Sequence, residues 1–236
     1  MPQMLKLPER LSVIAGFIKK NASVIDVGTD HGFLPVYLAQ NYLTCRIIAT
    51  DISEGSLSAA RRTASKHGVT DRIKFVQTPG LEGLQDLKIN TIVIAGLGGE
   101  TIAEILAGAT WIIERKIKLI LQPQSKIDEL CGFLRLYGYV FNDAEIVRDN
   151  GRYYVVMVAN TGKSDLSLLS PEIELYSMLA KKNNPMFINY LDTLINKTQS
   201  TATASKSSNP VRYGSMLIRL EELRSIREEA VFGKSN

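Results

Sequence analysis

The chain has 236 residues, 45% of them apolar and 22% charged, with a formal net charge of +4. This is an ordinary composition for a globular protein with a sizeable core, and the mild basic excess favours an anionic partner. No apolar run approaches the roughly 18 residues of a membrane span, and the first twenty residues lack the apolar core and cleavage site of a signal peptide, so a cytoplasmic protein without a membrane partner is expected.

The first helix is expected over 8–20, where Leu11, Ile14, Ala15 and Ile18 recur at helical spacing behind Pro8. Strand one is Ser23–Val27, and a helix over 34–42 carries Pro35 in its first turn. The run 45–51 is a second strand ending in Asp51. Ser53 then caps a helix through His67, closed by Gly68, with His67 placed against the helix dipole. Strands follow at 72–77, 91–97 and 117–123, with a helix from about 99 and another capped by Ser125 and stopped at Gly138. Cys45 and Cys131 are far apart within apolar elements and read as buried, reduced thiols.

Strands one to five have continuous apolar interiors and alternate with helices, as in a parallel sheet covered on both faces. After Gly138 the period changes. "YVFNDAEIV" and "RYYVVMVAN" are two strands joined by a tight turn at Asp149-Asn150-Gly151. Past residue 160 the chain is helical at 170–197, with a break at Asn184-Pro185. "TQSTATASKSSNP", 198–210, is small, polar and Ser/Thr-rich, and is expected as an exposed connection. A last helix over 211–231 carries an apolar seam of Leu217, Leu220, Leu223, Ile226 and Val231. The expected fold is therefore α/β: a Rossmann-like sheet closed by an antiparallel hairpin, as in class I methyltransferases, followed by an antiparallel helical hairpin. The expected boundary divides 1–161 from 162–236.

In such a sheet ligands sit beyond the carboxyl ends of the strands, where strand order reverses. The turn after strand one reads Asp26-Val27-Gly28-Thr29-Asp30-His31-Gly32. Gly28 and Gly32 remove side chains where a ligand would approach. The dinucleotide fingerprint is absent, and Asp30 would repel a pyrophosphate. A ligand with a cationic amine or sulfonium suits this acid, which favours S-adenosylmethionine over a nicotinamide dinucleotide. Asp51, with Ile52 beside it, is placed to take the ribose hydroxyls. Gln77, Thr78 and Gly80 follow strand three and could meet the adenine edge. Gly96, Gly98 and Gly99 leave the backbone bare after strand four. Neither an Asp/Asn-Pro-Pro-Tyr motif nor a Pro-Cys nucleophile follows, so the acceptor is expected to bring its own lone pair, as a ring nitrogen such as adenine N1 does.

"DVGTDHGFLPVYL", "IAGLGGETIAEIL", "LQPQSKIDELCGFLRLYGY" and "NPMFINYL" resemble the bacterial tRNA (adenine-22-N1)-methyltransferase family, in order along the whole chain. The Asp-His pair after Gly28 is the most specific element. Two departures stand out: Gly32 where the family's pattern has alanine, and Thr78-Pro79 where it more often has Gly-Asp. The resemblance implies an S-adenosylmethionine-dependent Rossmann-like domain, a coiled-coil-like tail, and N1 of a D-arm adenine in tRNA as acceptor; no metal is expected. Asp30 and His31 are then the catalytic candidates. Asp30 would stabilise the cationic methylated ring or hold the cofactor's amino group; His31 would hydrogen-bond the adenine or the cofactor carboxylate, or simply brace the turn. Asp26, Gly28, Thr29, Gly32, Asp51, Ile52, Gln77, Thr78, Gly80 and Gly96 would bind the cofactor. Arg10, Lys19, Lys20, Arg61, Arg62, Lys66, Lys181 and Lys182 are candidate phosphate contacts on a monomeric protein. Two rivals remain: a methyltransferase acting on another RNA, a protein or a small molecule, and a non-catalytic RNA-binding relic of the fold.

Overall fold

A computed structural model describes residues 4–42, 45–162 and 170–232. The five apolar runs are strands β1 (Ser23–Val27), β2 (Arg46–Asp51), β3 (Ile73–Gln77), β4 (Thr91–Leu97) and β5 (Lys118–Pro123), and the hairpin supplies β6 (Tyr139–Asp149) and β7 (Arg152–Thr161). They form one seven-stranded sheet in the order β3-β2-β1-β4-β5-β7-β6. β1 to β5 are parallel, and β7 runs antiparallel to both β5 and β6. Asp149 pairs with Arg152, and the turn between them places Asn150 at φ 47° and Gly151 at φ 80°. Two successive left-handed residues are what a two-residue hairpin turn requires, and Asn-Gly supplies them at least strain.

The helices are α1 (Glu9–Gly16), α2 (Phe33–Asn41), α3 (Glu54–Lys66), α4 (Gly99–Ala107), α5 (Trp111–Glu114), α6 (Ile127–Leu136), α7 (Pro171–Ala180), α8 (Pro185–Ser205) and α9 (Pro210–Phe232). Alternate strand residues serve opposite faces. Val24 packs with Ile14 of α1 and Leu34 and Leu38 of α2, whereas Ile25 and Val27 join Ile102 of α4 and Leu130 and Leu134 of α6. The second of these cores runs on without a break into Tyr176 of α7, Phe187 and Leu191 of α8, and Leu223 and Ile226 of α9. Arg219 of α9 ties the same region together, pairing with Glu172 of α7 at 3.0 Å and with Asp128 of α6 at 3.1 Å. The expected division at 161/162 coincides with the end of β7; residues 163–169 lie outside the described ones.

Four local expectations are corrected. α1 ends at Gly16 rather than near residue 20. The poor helix former Gly16 lets the chain tighten into i→i−3 turns, Phe17 N–H to Ile14 and Ile18 N–H to Ala15, which still deliver Ile18 to the core. Ser125 does not cap α6: Lys126 precedes that helix in the left-handed region at φ 55°, and the Ser125 carbonyl instead accepts the Gly99 N–H at 2.9 Å. Residues 198–205, expected as an exposed connection, are the last turns of α8. Thr198, Ala202 and Ser205 are buried there, and the hydroxyls of Ser200, Thr201 and Thr203 donate to carbonyls four residues back, so the helix absorbs its own polar groups. Finally, Leu217 and Val231 are exposed; the packed seam of α9 is Leu220, Leu223, Ile226 and Ala230.

Candidate active site

Strand order reverses between β1 and β4, and the carboxyl ends of these strands open into a cleft with two adjoining compartments. One, of about 560 Å³, has mostly apolar walls from Val27, Ile52, Leu81, Leu97 and Ile105, with Thr78 and Gly80 at its side. The other, of about 520 Å³, is polar and holds Arg10, Asp26, Thr29, Asp30, His31 and Gln124, with Gly96 in its wall. Gly28, Asp51 and Leu97 belong to both.

The turn after β1 is held by its neighbour strand. The N–H groups of Gly28 and Thr29 both donate to the Thr50 carbonyl, at 2.9 and 3.0 Å. The Asp51 carboxylate accepts from Ser53 N at 2.8 Å and from Asp30 N at 3.3 Å, so one side chain sets both loops of the cleft. Asp30 sits at φ 48°, with its carboxylate 3.6 Å from His31 Nε2. Gly32 sits at φ 70°, and a Cβ there would lie 2.7 Å from the Ala60 Cβ of α3. That close approach leaves little room for the alanine expected from the resemblance.

Asp26 is buried beneath this turn. Burial raises its carboxyl from the ordinary carboxylate value to about 7; the Thr29 hydroxyl and the Arg10 guanidinium oppose the rise, and Asp51 adds to it. The Thr29 hydroxyl is itself buried and faces Asp26.

Most predicted cofactor residues therefore meet in one cleft: Asp26, Gly28, Thr29, Asp51, Ile52, Thr78, Gly80 and Gly96, with the candidates Asp30 and His31 beside them. Gly32 opens α2 behind them. Gln77 turns away and donates to the Ile52 carbonyl at 3.1 Å, bracing the rim. The phosphate candidates divide. Arg10 lines the polar compartment, bonded to Gln122 Oε1 at 2.8 Å and stacked over Tyr154 at 5.6 Å. Lys19 and Lys20 precede β1 and so lie at the amino edge of the sheet, opposite the cleft. Arg61 is paired with Glu54 at 2.5 Å and stacks over Phe75. Lys182 is paired with Asp143 at 2.5 Å and Glu145 at 3.3 Å. Arg62, Lys66 and Lys181 are exposed. His67 is the buried C-cap of α3, as expected.

The sequence reading missed the place of Arg10 and the roles of Gln122 and Gln124. Two signals were available. α1 runs antiparallel to the strand it precedes, which brings its first turn to the strand's carboxyl end. A fully buried glutamine interrupts the apolar run of β5 just where ligands bind.

The chain matches the family model described as a methyltransferase domain over residues 7–157. It is 31% identical over 231 residues to the tRNA (adenine(22)-N(1))-methyltransferase of Bacillus subtilis, covering 94% of this chain and 97% of that protein. Among solved structures it resembles the B. subtilis m1A22 tRNA methyltransferase TrmK, with a TM-score of 0.80 at 29% identity over 94% of this chain and 99% of that one. It also resembles TrmK of M. capricolum in complex with S-adenosyl-homocysteine, with a TM-score of 0.78 at 25% identity over 97% and 100% of the two chains. No helix among the described residues is long and apolar enough to cross a membrane.

Proposed function

The chain belongs to the tRNA (adenine(22)-N(1))-methyltransferase family, and from that premise we propose that it transfers the methyl group of S-adenosylmethionine to N1 of adenine 22 in tRNA. It does so in the cytoplasm, as a monomer, with the transfer chemistry in residues 1–161 and the helical part, 162–236, added to it. The observation that supports this most is the two-sided cleft: an apolar slot and a carboxylate-lined pocket share Gly28 and Asp51. A flat, weakly polar base fits the first and a cationic amino-acid moiety the second.

When bound, the cofactor supplies an electrophilic methyl group on a positively charged sulfur. Asp51 accepts from the ribose hydroxyls, and Ile52, Leu97, Thr78 and Gly80 wall the adenine. Asp26 and Asp30 favour the positive charges, and Arg10, fixed by Gln122 and Tyr154, pairs with the carboxylate. Gln77 holds the Ile52 backbone in place. Adenine N1 carries a free lone pair at neutral pH, so no residue has to remove a proton before transfer. The methylated ring is cationic, and Asp30, oriented by His31, stabilises that charge as it develops. The remaining contribution is alignment, which can supply ~7–11 kcal/mol in favourable cases.

The test is transfer of a labelled methyl group to two tRNA transcripts, one with adenine at position 22 and one without. Labelling confined to the first is expected, and equal labelling would overturn the assignment. In the same assay Asp51→Ala should weaken cofactor binding about 10- to 100-fold, the worth of a hydrogen-bonded charge, with tRNA affinity unchanged.

A further inference from the structure

Beside the polar compartment, on its α3 side, lies a second cavity of about 320 Å³ that the transfer chemistry does not use. His31 and Phe33 form the wall between the two, since both line each of them. Their rings stack, with centroids 5.6 Å apart and planes 24° from parallel. Phe33 is nevertheless 37% exposed and the His31 side chain 58% exposed. A phenylalanine opening a helix at the rim of a site has no packing reason to stay half in solvent. Across the cavity stand Arg62 and Lys66 on one face of α3, both exposed and without an ion pair among the described residues. Arg61, one position earlier, is committed to Glu54. The acids of the region, Asp30 and Asp51, lie on the cofactor side, so charge divides across the aromatic wall: carboxylates on one side, guanidinium and ammonium on the other.

We infer that the Phe33–His31 pair is a stacking platform for a base of the substrate RNA adjoining the target adenine, with Arg62 and Lys66 holding the phosphates on either side of that base. The inference rests on the tRNA methyltransferase reading. An aromatic face with unpaired cations across from it is an arrangement that binds unstacked nucleotides, because every base has a π face and every linkage an anionic phosphate. Continuity with the catalytic compartment fixes which nucleotide it is. An adenine extruded into the cleft leaves its neighbour unstacked at the rim, and the platform replaces the lost stacking partner.

The experiment measures tRNA binding by fluorescence anisotropy with S-adenosylhomocysteine present, together with steady-state methylation, for the parent, Phe33→Ala, Phe33→Trp and Arg62→Gln. Phe33→Ala should weaken tRNA binding and raise the KM for tRNA by about tenfold, the size of a lost base–aromatic stack, with a smaller change in cofactor affinity. Phe33→Trp should retain near-parent binding. Arg62→Gln should lower the slope of log Kd against log salt by about one phosphate contact. If Phe33→Ala binds and methylates tRNA like the parent, or loses cofactor affinity as much as tRNA affinity, the platform is wrong while the methyltransferase reading stands. If the parent binds tRNA without methylating it, that reading falls, and the same comparison of Phe33 variants still decides the platform. A parent that does not bind tRNA overturns both.

Discussion

At the mouth of the sheet, position is set by backbone groups close together in sequence or on adjacent strands: Gly28 and Thr29 hang on the Thr50 carbonyl, and Asp30 hangs on Asp51. In the helical tail, position is set by packed and paired side chains: Phe187 against Tyr176 and Tyr190, and Arg219 reaching back along the chain to Asp128 and Glu172. The first kind of interaction places a ligand group to a fraction of an ångström and adds little stability. The second adds stability and tolerates small shifts. Substitutions in the two regions should therefore fail in different ways. Phe187→Ala removes a fully buried ring from the core that tail and sheet share and should cost about 3–5 kcal/mol. Chemical denaturation should show one transition at lower denaturant for the whole chain, with cofactor affinity at 25 °C nearly intact. A separate early transition confined to the tail would show that the shared core does not couple the two regions.

That contrast also explains what could be read in advance. β1 and β4 were legible to the residue because an apolar run bounded by turn residues is a local signal, and the acids and glycines of the cleft follow those strands directly. The hairpin turn was legible for the same reason: Asn150-Gly151 carries its own conformational preference. Residues 198–205 were not legible. Their composition is that of a loop, and what makes them helical is Ala202 and Ser205 meeting buried surface together with hydroxyls bonding back along the helix. Leu217 and Val231 misled for the converse reason, since an apolar residue at helical spacing packs only if the neighbouring helix reaches it. Arg10 lies between these cases: its type was noticed, but its place depends on how α1 crosses the sheet.

Gly32→Ala tests the local side of the comparison. The new methyl would meet the Ala60 Cβ at 2.7 Å from a backbone at φ 70°, and overpacking of that kind costs about 1–3 kcal/mol. The loss should appear in thermal unfolding and, unlike that of Phe187→Ala, also in cofactor affinity, because the turn itself shifts. Adding Ala60→Gly should recover the steric part. If the single variant binds cofactor normally, the turn is more compliant than this packing implies.

A subtler effect comes from Asp26. Its carboxyl titrates near 7 in the fold and near 3.8 when unfolded, so the free protein loses stability as pH rises between those values, and the penalty is complete above about 7. A cationic ligand needs the ionised form. Cofactor affinity should therefore rise with pH up to about 7 and level off above it, falling about tenfold for each pH unit below, or 1.4 kcal/mol. Titration calorimetry at pH 5.5, 6.5 and 8 checks this. Asp26→Asn should flatten the profile and stabilise the free protein at pH 8, and a flat profile in the parent would place the cofactor's charge elsewhere.

The smallest effect bears on the tail alone. Ser200 is exposed and its hydroxyl reaches the Asn196 carbonyl at 3.0 Å, a bond available only on a helix. In a helix, alanine at that position should be more stable than glycine by about 1 kcal/mol, with serine between them. In an exposed connection the three residues would differ by much less, since nothing there depends on helical propensity. For a chain of this length 1 kcal/mol corresponds to about 2–4 °C in Tm, which differential scanning fluorimetry resolves. The order Ala, Ser, Gly at position 200 thus reads out the one stretch of the tail whose composition and conformation disagree, without touching any residue of the cleft.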